Sequence, residues 1–96
     1  MKPIENYSGY FITQEGEVYS TKKGGKLRML KPFKAGSTDK NQYKVIALYD
    51  EHKVKDIHYI HRLVYSAFMG AVPDGSCIRH IDGNHFNNRL ENLEVI

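Results

Sequence analysis

Residues 77–96, "CIRHIDGNHFNNRLENLEVI", decide the fold of the carboxy-terminal part of this chain. The stretch opens with "CIRHI" and closes with "NLEVI", and each has the length and apolar content of a short strand. Between them, "DGNHFNNRLE" is dense in Asp, Gly and Asn, the residues that form Asx turns. The pattern predicts two strands that return on each other across a polar loop.

The segment before this stretch has the period of a helix. In "IHRLVYSAFMG" the apolar residues recur at a spacing of three or four positions, and they are Ile60, Leu63, Val64, Ala67 and Phe68. Gly70 fits the usual glycine stop at a helix end. A turn at "AVPDGS" then leads into the first strand of the opening stretch.

Two hairpins are predicted further upstream. In "GYFITQEGEVYST", apolar residues flank "QEGE", where Gly16 can adopt the positive φ of a tight turn. In "YKVIALYD" and "KVKDIHYI", joined through "DEHK", residues Tyr43, Val45, Ala47 and Tyr49 alternate onto one face. Between the hairpins, the apolar patch from Leu27 to Phe33 predicts one short strand in a flexible basic loop.

Composition favours one small folded protein. The 96 residues are 41% hydrophobic, 26% charged and 11% aromatic, as in ordinary globular domains. No apolar run is long enough for a membrane span or a signal peptide, so a cytoplasmic location inside a host cell and no membrane partner are expected. The single cysteine, Cys77, cannot form an internal disulfide and is interpreted as a small buried residue.

Positive charge is concentrated in one segment. Between residues 22 and 44 the chain has a net charge of +7, against −4 for the remainder. Clustered cations of this kind are typical of proteins that contact nucleic-acid phosphates, although a solvated basic loop is the simpler alternative. The cations of this segment are Lys22, Lys23, Lys26, Arg28, Lys31, Lys34, Lys40 and Lys44.

The order of these motifs, from "GYFITQEGEVYS" through "YKVIALYD" and "HRLVYSAF" to "IRHIDGNHFNNRLENLEVI", resembles the HNH homing endonucleases of phages and introns. The resemblance covers nearly the whole chain, and its final motif is the specific part. It implies an α+β fold with an amino-terminal β-rich DNA-binding module at residues 1–42. Residues 43–96 would then form a hairpin, a helix and a partial ββα-metal motif that lacks its final helix.

The same resemblance assigns roles to the residues of the final motif. It implies that His80 is the general base and that Asn92 hydrogen-bonds across the loop to fix the histidine. Because an imidazole is largely neutral near pH 7, His80 suits the task of taking a proton from an attacking water. Asn84, Asn87 and Asn88 are interpreted as turn-forming residues.

The metal site implied by the resemblance is where this sequence departs from the family. Family members bind a divalent metal, usually Mg²⁺, through a residue just before the general base and another from the closing helix. The first position is Arg79, a permanent cation that cannot ligate a metal, and the second lies beyond Ile96. Asp82 is a weaker candidate ligand, and an Asx turn explains its presence equally well.

The remaining rings receive structural interpretations. His61 is expected to pack or cap at the start of the helix, and His58 and His52 are expected to be solvated. Four tyrosines are interpreted as core or half-core residues of the sheet and helix, with contact to sugar or phosphate as the alternative for any that face outward; they are Tyr43, Tyr49, Tyr59 and Tyr65.

Three functions therefore stay open. The favoured one is a protein that binds double-stranded DNA through the basic segment and Arg79, with cleavage weak or lost and no cofactor. The second is a nuclease-derived protein that binds another protein, such as a host defence nuclease. The third is an active, Mg²⁺-dependent nicking enzyme, if the 96 residues are a trimmed piece of a longer chain.

Overall fold

The computed structural model describes residues 1–36, 38 and 42–96, and within them nine strands form three antiparallel sheets beside one α-helix. The first sheet contains β1 (Lys2–Pro3), β2 (Tyr10–Ile12), β3 (Val18–Ser20) and β4 (Arg28–Met29), in that order. The second contains β5 (Phe33–Ala35), β6 (Tyr43–Tyr49) and β7 (Lys55–Tyr59), and the third pairs β8 (Ile78–His80) with β9 (Leu93–Val95). Helix α1 (Ile60–Met69) follows β7, and a 3-10 turn (Leu90–Asn92) precedes β9. This small α+β architecture confirms the predicted fold class.

The first predicted hairpin is formed by β2 and β3. Gly16 adopts a φ of +89° in the turn, as the sequence predicted, and the Glu17 N–H donates to Thr13 Oγ1 at 3.1 Å. Tyr10, Ile12 and Val18 are buried, so one face of the hairpin joins the core. The short strand β1, which the sequence did not predict, pairs with β2 on its other side.

The second predicted hairpin is formed by β6 and β7, and Val45 lies opposite Tyr59 in its register. Ile46 and Leu48 point into the core, so alternation along β6 places Tyr49 on the outer face. Tyr59, opposite Val45, lies on that outer face too. The interpretation of Tyr49 and Tyr59 as core or half-core residues was therefore wrong, because both are exposed.

The apolar patch between the hairpins does not form a single strand. It is divided between β4, in the first sheet, and β5, in the second. Pro32 lies between them, and proline lacks the N–H that a continuing ladder needs. The predicted strand is thus a crossover that leads the chain from one sheet to the next.

Helix α1 has the predicted bounds, and the Gly70 N–H donates to the Ser66 carbonyl at its end. Its Ile60 and Val64 pack with Ile12 and Leu48 in one core. This core draws residues from both sides of position 42, so apolar packing joins the first sheet to the helix. The fully buried side chains of this core are Ile12, Val18, Leu48, Ile60 and Val64, and Val45 is as fully buried on the other face of β6.

Two residues lie in surroundings other than those expected. Cys77 is exposed, because its backbone pairs with Ile96 at the open end of the third sheet and its side chain turns outward. His58 is half-buried rather than solvated, since its Nε2 lies 2.7 Å from the hydroxyl of Tyr7. The same hydroxyl donates to Asp56 Oδ2 at 2.9 Å, so this network ties the amino-terminal segment to β7.

Across the described ranges of the chain, no helix combines the length and the apolar character needed to cross a membrane.

Candidate active site

The loop between β8 and β9, residues 81–92, is here called the site loop, and Asp82 organises its first half. Asp82 Oδ1 accepts hydrogen bonds from the Asn84 backbone N–H at 2.8 Å and from Asn92 Nδ2 at 2.9 Å. Asp82 Oδ2 accepts one from Asn87 Nδ2 at 2.8 Å. The hydrogen bond from Asn87, followed by those from Asn84 and Asn92, lowers the pKa of Asp82 below its ordinary value. Asp82 is therefore anionic, and both of its carboxylate oxygens stabilise the loop by accepting hydrogen bonds.

Asn92 closes the site loop from its far end. Its Oδ1 accepts from the Asp82 backbone N–H at 3.1 Å, and its Nδ2 also donates to the Asn87 carbonyl at 2.9 Å. The side chain is 8% exposed, so these contacts satisfy a buried amide. Asn92 thus spans the loop, and any influence that it has on His80 passes through the loop backbone.

His80 is held directly by a different asparagine, Asn88. His80 Nε2 lies 2.7 Å from Asn88 Oδ1, and the two side chains are 5% and 4% exposed. Because the asparagine oxygen can only accept, Nε2 carries a hydrogen, and Nδ1 is the nitrogen that bears the lone pair in the neutral imidazole. The sequence interpretation gave Asn88 only a turn-forming role. The pair of adjacent asparagines, Asn87 and Asn88, was the signal that could have shown this. Only Asn87 hydrogen-bonds to Asp82, which leaves the side chain of Asn88 for His80.

The first hairpin supports Asn88 from behind. A Cβ placed on Gly16 would lie 3.0 Å from Asn88 Cβ and 3.4 Å from Ile60 Cγ2, so only glycine fits there without displacing a neighbour. The Leu90 N–H donates to the Gln14 carbonyl at 2.8 Å. The turn of the first hairpin therefore positions the residue that holds His80.

Aromatic rings surround His80 on its other side. The rings of Tyr43 and His85 stack with centroids 4.3 Å apart and an angle of 7° between their planes. The His85 centroid lies 5.4 Å from that of His80, and the His61 centroid lies 5.0 Å from it. Three histidines and a tyrosine thus form one contiguous cluster.

His61 is the most enclosed ring of this cluster. It is 7% exposed, and its Nδ1 is the one fully buried side-chain nitrogen or oxygen without a hydrogen-bond partner among the described residues. Burial, with smaller contributions from His80, Arg62 and His85, lowers the pKa of His61 to about 4. His61 is therefore neutral at pH 7, in keeping with the packing role predicted for it.

Arg79 projects from the opposite face of β8 to His80. It lies opposite Glu94 in the register of β8 and β9, and its guanidinium forms an ion pair with the Glu94 carboxylate. The pair is partly exposed, so the interaction orients two side chains more than it stabilises the fold. The carboxylate of Glu94 is consequently engaged by Arg79.

The side chains of this site do not fit a divalent metal. Within residues 1–36, 38 and 42–96, no group of three or more His, Cys, Asp or Glu side chains has an arrangement that could hold a metal ion. Arg79 has no lone pair to offer, and the oxygens of Asp82 already hold the loop. The absence of a confident metal ligand stays a prediction from the sequence.

The cations predicted to contact DNA differ in their surroundings. Lys22 Nζ donates to the Tyr49 carbonyl at 2.7 Å and lies 4.6 Å from the centre of the Tyr10 ring, so Lys22 joins the first two sheets. Lys40 lies outside the described residues. Lys34 and Lys44 both lie over the ring of Phe86. The exposed cations of the segment are Lys22, Lys23, Lys26, Arg28, Lys31 and Lys34, whereas Lys44 is half-buried.

Comparisons with known proteins agree on one family. Residues 58–96 match the HNH endonuclease family. The chain is 36% identical over 96 residues to DNA endonuclease I-HmuI of Bacillus phage SP01, covering 99% of this chain and 51% of that protein. It is 35% identical over 94 residues to the uncharacterized HNH endonuclease L247 of Acanthamoeba polyphaga mimivirus, covering 97% of this chain and 22% of that protein.

A solved structure shows the same fold. The structure describing DNA binding and cleavage by the HNH homing endonuclease I-HmuI matches with a TM-score of 0.78 and 33% identity. The match covers 99% of this chain and 51% of that one. The chain thus spans about half the length of I-HmuI and 22% of the mimivirus protein L247.

Proposed function

The chain belongs to the HNH homing endonuclease family, and we propose that it binds double-stranded DNA while its phosphodiester cleavage is weak or lost. The proposal rests on one observation above the others. Asn88 holds the His80 ring in place, whereas the position beside His80 carries an arginine engaged with a carboxylate.

The position of His80 is suited to accepting a proton from water. Asn88 fixes His80 with Nε2 as the donor, so Nδ1 is the nitrogen that would accept a proton from an attacking water. Nδ1 makes no hydrogen bond within the part of the chain that the structure describes. A base held through its other ring nitrogen is preorganised for proton transfer.

The electrostatic half of the site is not suited to phosphodiester cleavage. Nucleases of this family generally use a divalent metal, which stabilises the charge that develops on the leaving oxygen. Arg79 would repel such a cation, and its guanidinium has no lone pair with which to ligate it. Losing a positioned electrostatic group lowers rates by roughly 10²–10³-fold even where other groups remain.

DNA binding is supported by the distribution of charge. The segment from residue 22 to residue 44 has a net charge of +7, and several of its cations are exposed. Cations that neutralise phosphates release counterions, so the affinity should fall steeply with salt. The relative I-HmuI binds and cleaves DNA, which favours the same class of ligand for this chain.

A binding titration tests the first part of the proposal. The protein is expected to bind a short labelled duplex at about 50 mM salt and to lose affinity steeply as salt rises. Fluorescence anisotropy measures both quantities. A chain that leaves the duplex free at about 50 mM salt does not bind DNA through its basic segment, and the proposal then fails.

A plasmid-nicking assay tests the second part. The wild-type chain is expected to leave supercoiled plasmid intact in Mg²⁺ and in Mn²⁺, or to nick it only slowly. Arg79→Asp is expected to gain metal-dependent nicking, and adding His80→Ala should abolish that gain. Rapid metal-dependent nicking by the wild type that disappears in His80→Ala would show that cleavage survives.

A protein partner is the second candidate function, favoured by the outer face of the second sheet. Tyr49, Ile57 and Tyr59 are each more than two-fifths exposed there, beside Phe33 on β5. Exposed apolar patches of this kind occur at protein interfaces. Binding to a protein becomes the better hypothesis if the duplex titration shows no binding.

A further inference from the structure

Two lysines face each other on neighbouring strands, and neither is paired with a carboxylate among the described residues. Lys34 on β5 and Lys44 on β6 are directly opposed in the antiparallel register. Like charges in this position repel and destabilise a sheet. The ion pairs of the described chain are His52–Glu51, Arg79–Glu94 and Arg89–Glu91, and none of them includes either lysine.

Both lysines converge on one ring of the site loop. The ammonium groups of Lys34 and Lys44 lie 5.1 Å and 5.8 Å from the centre of the Phe86 ring. A ring face attracts cations, so Phe86 gathers the two charges that the sheet would otherwise push apart. The backbone N–H of Phe86 is fixed by Asn84 Oδ1 at 3.0 Å, and the ring is 36% exposed.

This arrangement lies beside the candidate base. Phe86 follows His85, whose ring stacks on Tyr43 and lies 5.4 Å from His80 by centroids. Two other cations of the third sheet and its loop have carboxylate partners, since Arg79 pairs with Glu94 and Arg89 pairs with Glu91. Lys34 and Lys44 are the described lysines that lie over a ring of the site loop, and neither has an anionic partner among the described residues.

We propose that Lys34, Lys44 and Phe86 form a phosphate clasp, which binds a backbone phosphate of the DNA strand that lies at His80. The clasp rests on the proposed function, because it assumes that DNA is the ligand. A phosphate placed between the two ammonium groups supplies the missing negative charge, and lysines bind phosphates as point charges. Phe86 sets the spacing of the lysines and offers an apolar surface to the adjacent sugar or base.

The test compares two double variants that remove the same charge. Lys34→Gln with Lys44→Gln removes the clasp, whereas Lys53→Gln with Lys55→Gln removes two exposed lysines at the other end of the β6–β7 hairpin. That end lies roughly 20 Å away along β6, because a strand rises about 3.3 Å per residue. Dissociation constants for a labelled duplex are measured at several salt concentrations.

Removing the clasp is expected to reduce the slope of log K against log salt by about 1, and each single lysine variant by less, since the one phosphate that the clasp holds contributes about 0.9. The distant double variant should keep the wild-type slope. In the wild type, the Phe86 amide resonance should shift on addition of the duplex, and this shift should be absent in the clasp variant.

The outcomes separate the two proposals. If the wild type binds DNA and the clasp variant keeps both its slope and its Phe86 shift, the clasp is wrong while DNA binding stands. If the wild type does not bind the duplex at all, both proposals fall together. Removing one of two opposed like charges should not unfold the sheet, and circular dichroism of the single variants verifies this.

Discussion

At the scale of single residues, the site depends on two asparagines that make different hydrogen bonds. Asn88 holds His80, and Asn92 holds the loop that carries Asn88. The sequence places both residues near the histidine but does not say which one touches it, because the choice depends on how the loop closes in three dimensions. The general-base role of His80 and the orienting role of Asn92 stay predictions.

Asn88→Ala should destabilise the fold because it removes the oxygen that accepts a hydrogen bond from His80. The substitution leaves the buried Nε2–H of His80 without a partner, so the free energy of unfolding should fall by about 1–3 kcal/mol. Asn87→Ala is the matched control, since its side chain donates to the exposed Asp82 and its loss should cost less. Urea denaturation measures both values. Equal losses in the two variants would mean that the contact between Asn88 and His80 contributes nothing specific.

His61 should make stability depend on pH below neutrality. Its folded pKa of about 4 lies below the ordinary 6.5, so between these values the unfolded chain binds a proton that the folded chain does not. Stability is therefore full above pH 6.5 and declines as pH falls towards 4, by about 3 kcal/mol at most.

The pH dependence can be assigned by substitution. His61→Phe should flatten the dependence measured by urea denaturation between pH 7 and pH 4, because it removes the group that titrates. His52→Gln, at an exposed turn residue, should leave it intact. A His61→Phe variant with the wild-type pH dependence would assign the proton uptake to another group.

At the scale of elements, the periodicity of apolar residues correctly predicted the strands and the helix that local sequence determines. Period-two alternation predicted the β6–β7 hairpin, the 3.6 period predicted α1, and Gly70 predicted its end. The division of the apolar patch at Pro32 was missed, because two short strands belonging to different sheets resemble one strand in sequence. Contacts between elements were missed as well, since no periodicity shows that the turn at Gly16 meets Asn88.

Gly16→Ala tests this contact between elements. A methyl group at position 16 would meet Asn88 at 3.0 Å, and the φ of +89° is unfavourable for alanine. The expected loss is about 1–3 kcal/mol of stability, together with a shift of the His80 ring resonances. NMR spectra and urea denaturation measure the two effects.

Gly75→Ala is the control for Gly16→Ala. Its φ of +80° imposes similar backbone strain, but nothing lies within 4 Å of the added Cβ. Any excess loss in Gly16→Ala, and any movement of His80, therefore comes from the collision with Asn88. Matching losses and an unmoved His80 would show that the first hairpin does not position the site.

At the scale of the whole molecule, the charge asymmetry could be read from the sequence, but the use of each cation could not. The net +7 of the basic segment is a property of composition. That Lys22 joins two sheets while Lys34 and Lys44 face each other over Phe86 follows from strand register, which forms only when the sheets pack. The proposed DNA-binding surface therefore depends on how the sheets pack, and the proposed clasp is its most specific part.

The same packing predicts how the chain unfolds. Ile12, in the first sheet, is 0% exposed and packs in one core with Leu48, Ile60 and Val64. Ile12→Ala should cost about 2–5 kcal/mol, and the loss should reach residues on both sides of position 42 because they share that core. Native-state hydrogen exchange is the measurement, comparing amides of β2 and β3 with amides of β6 and α1. Protection should fall by the same free energy in all four elements, whereas a loss confined to β2 and β3 would mean that the amino-terminal sheet unfolds independently of the site that it supports.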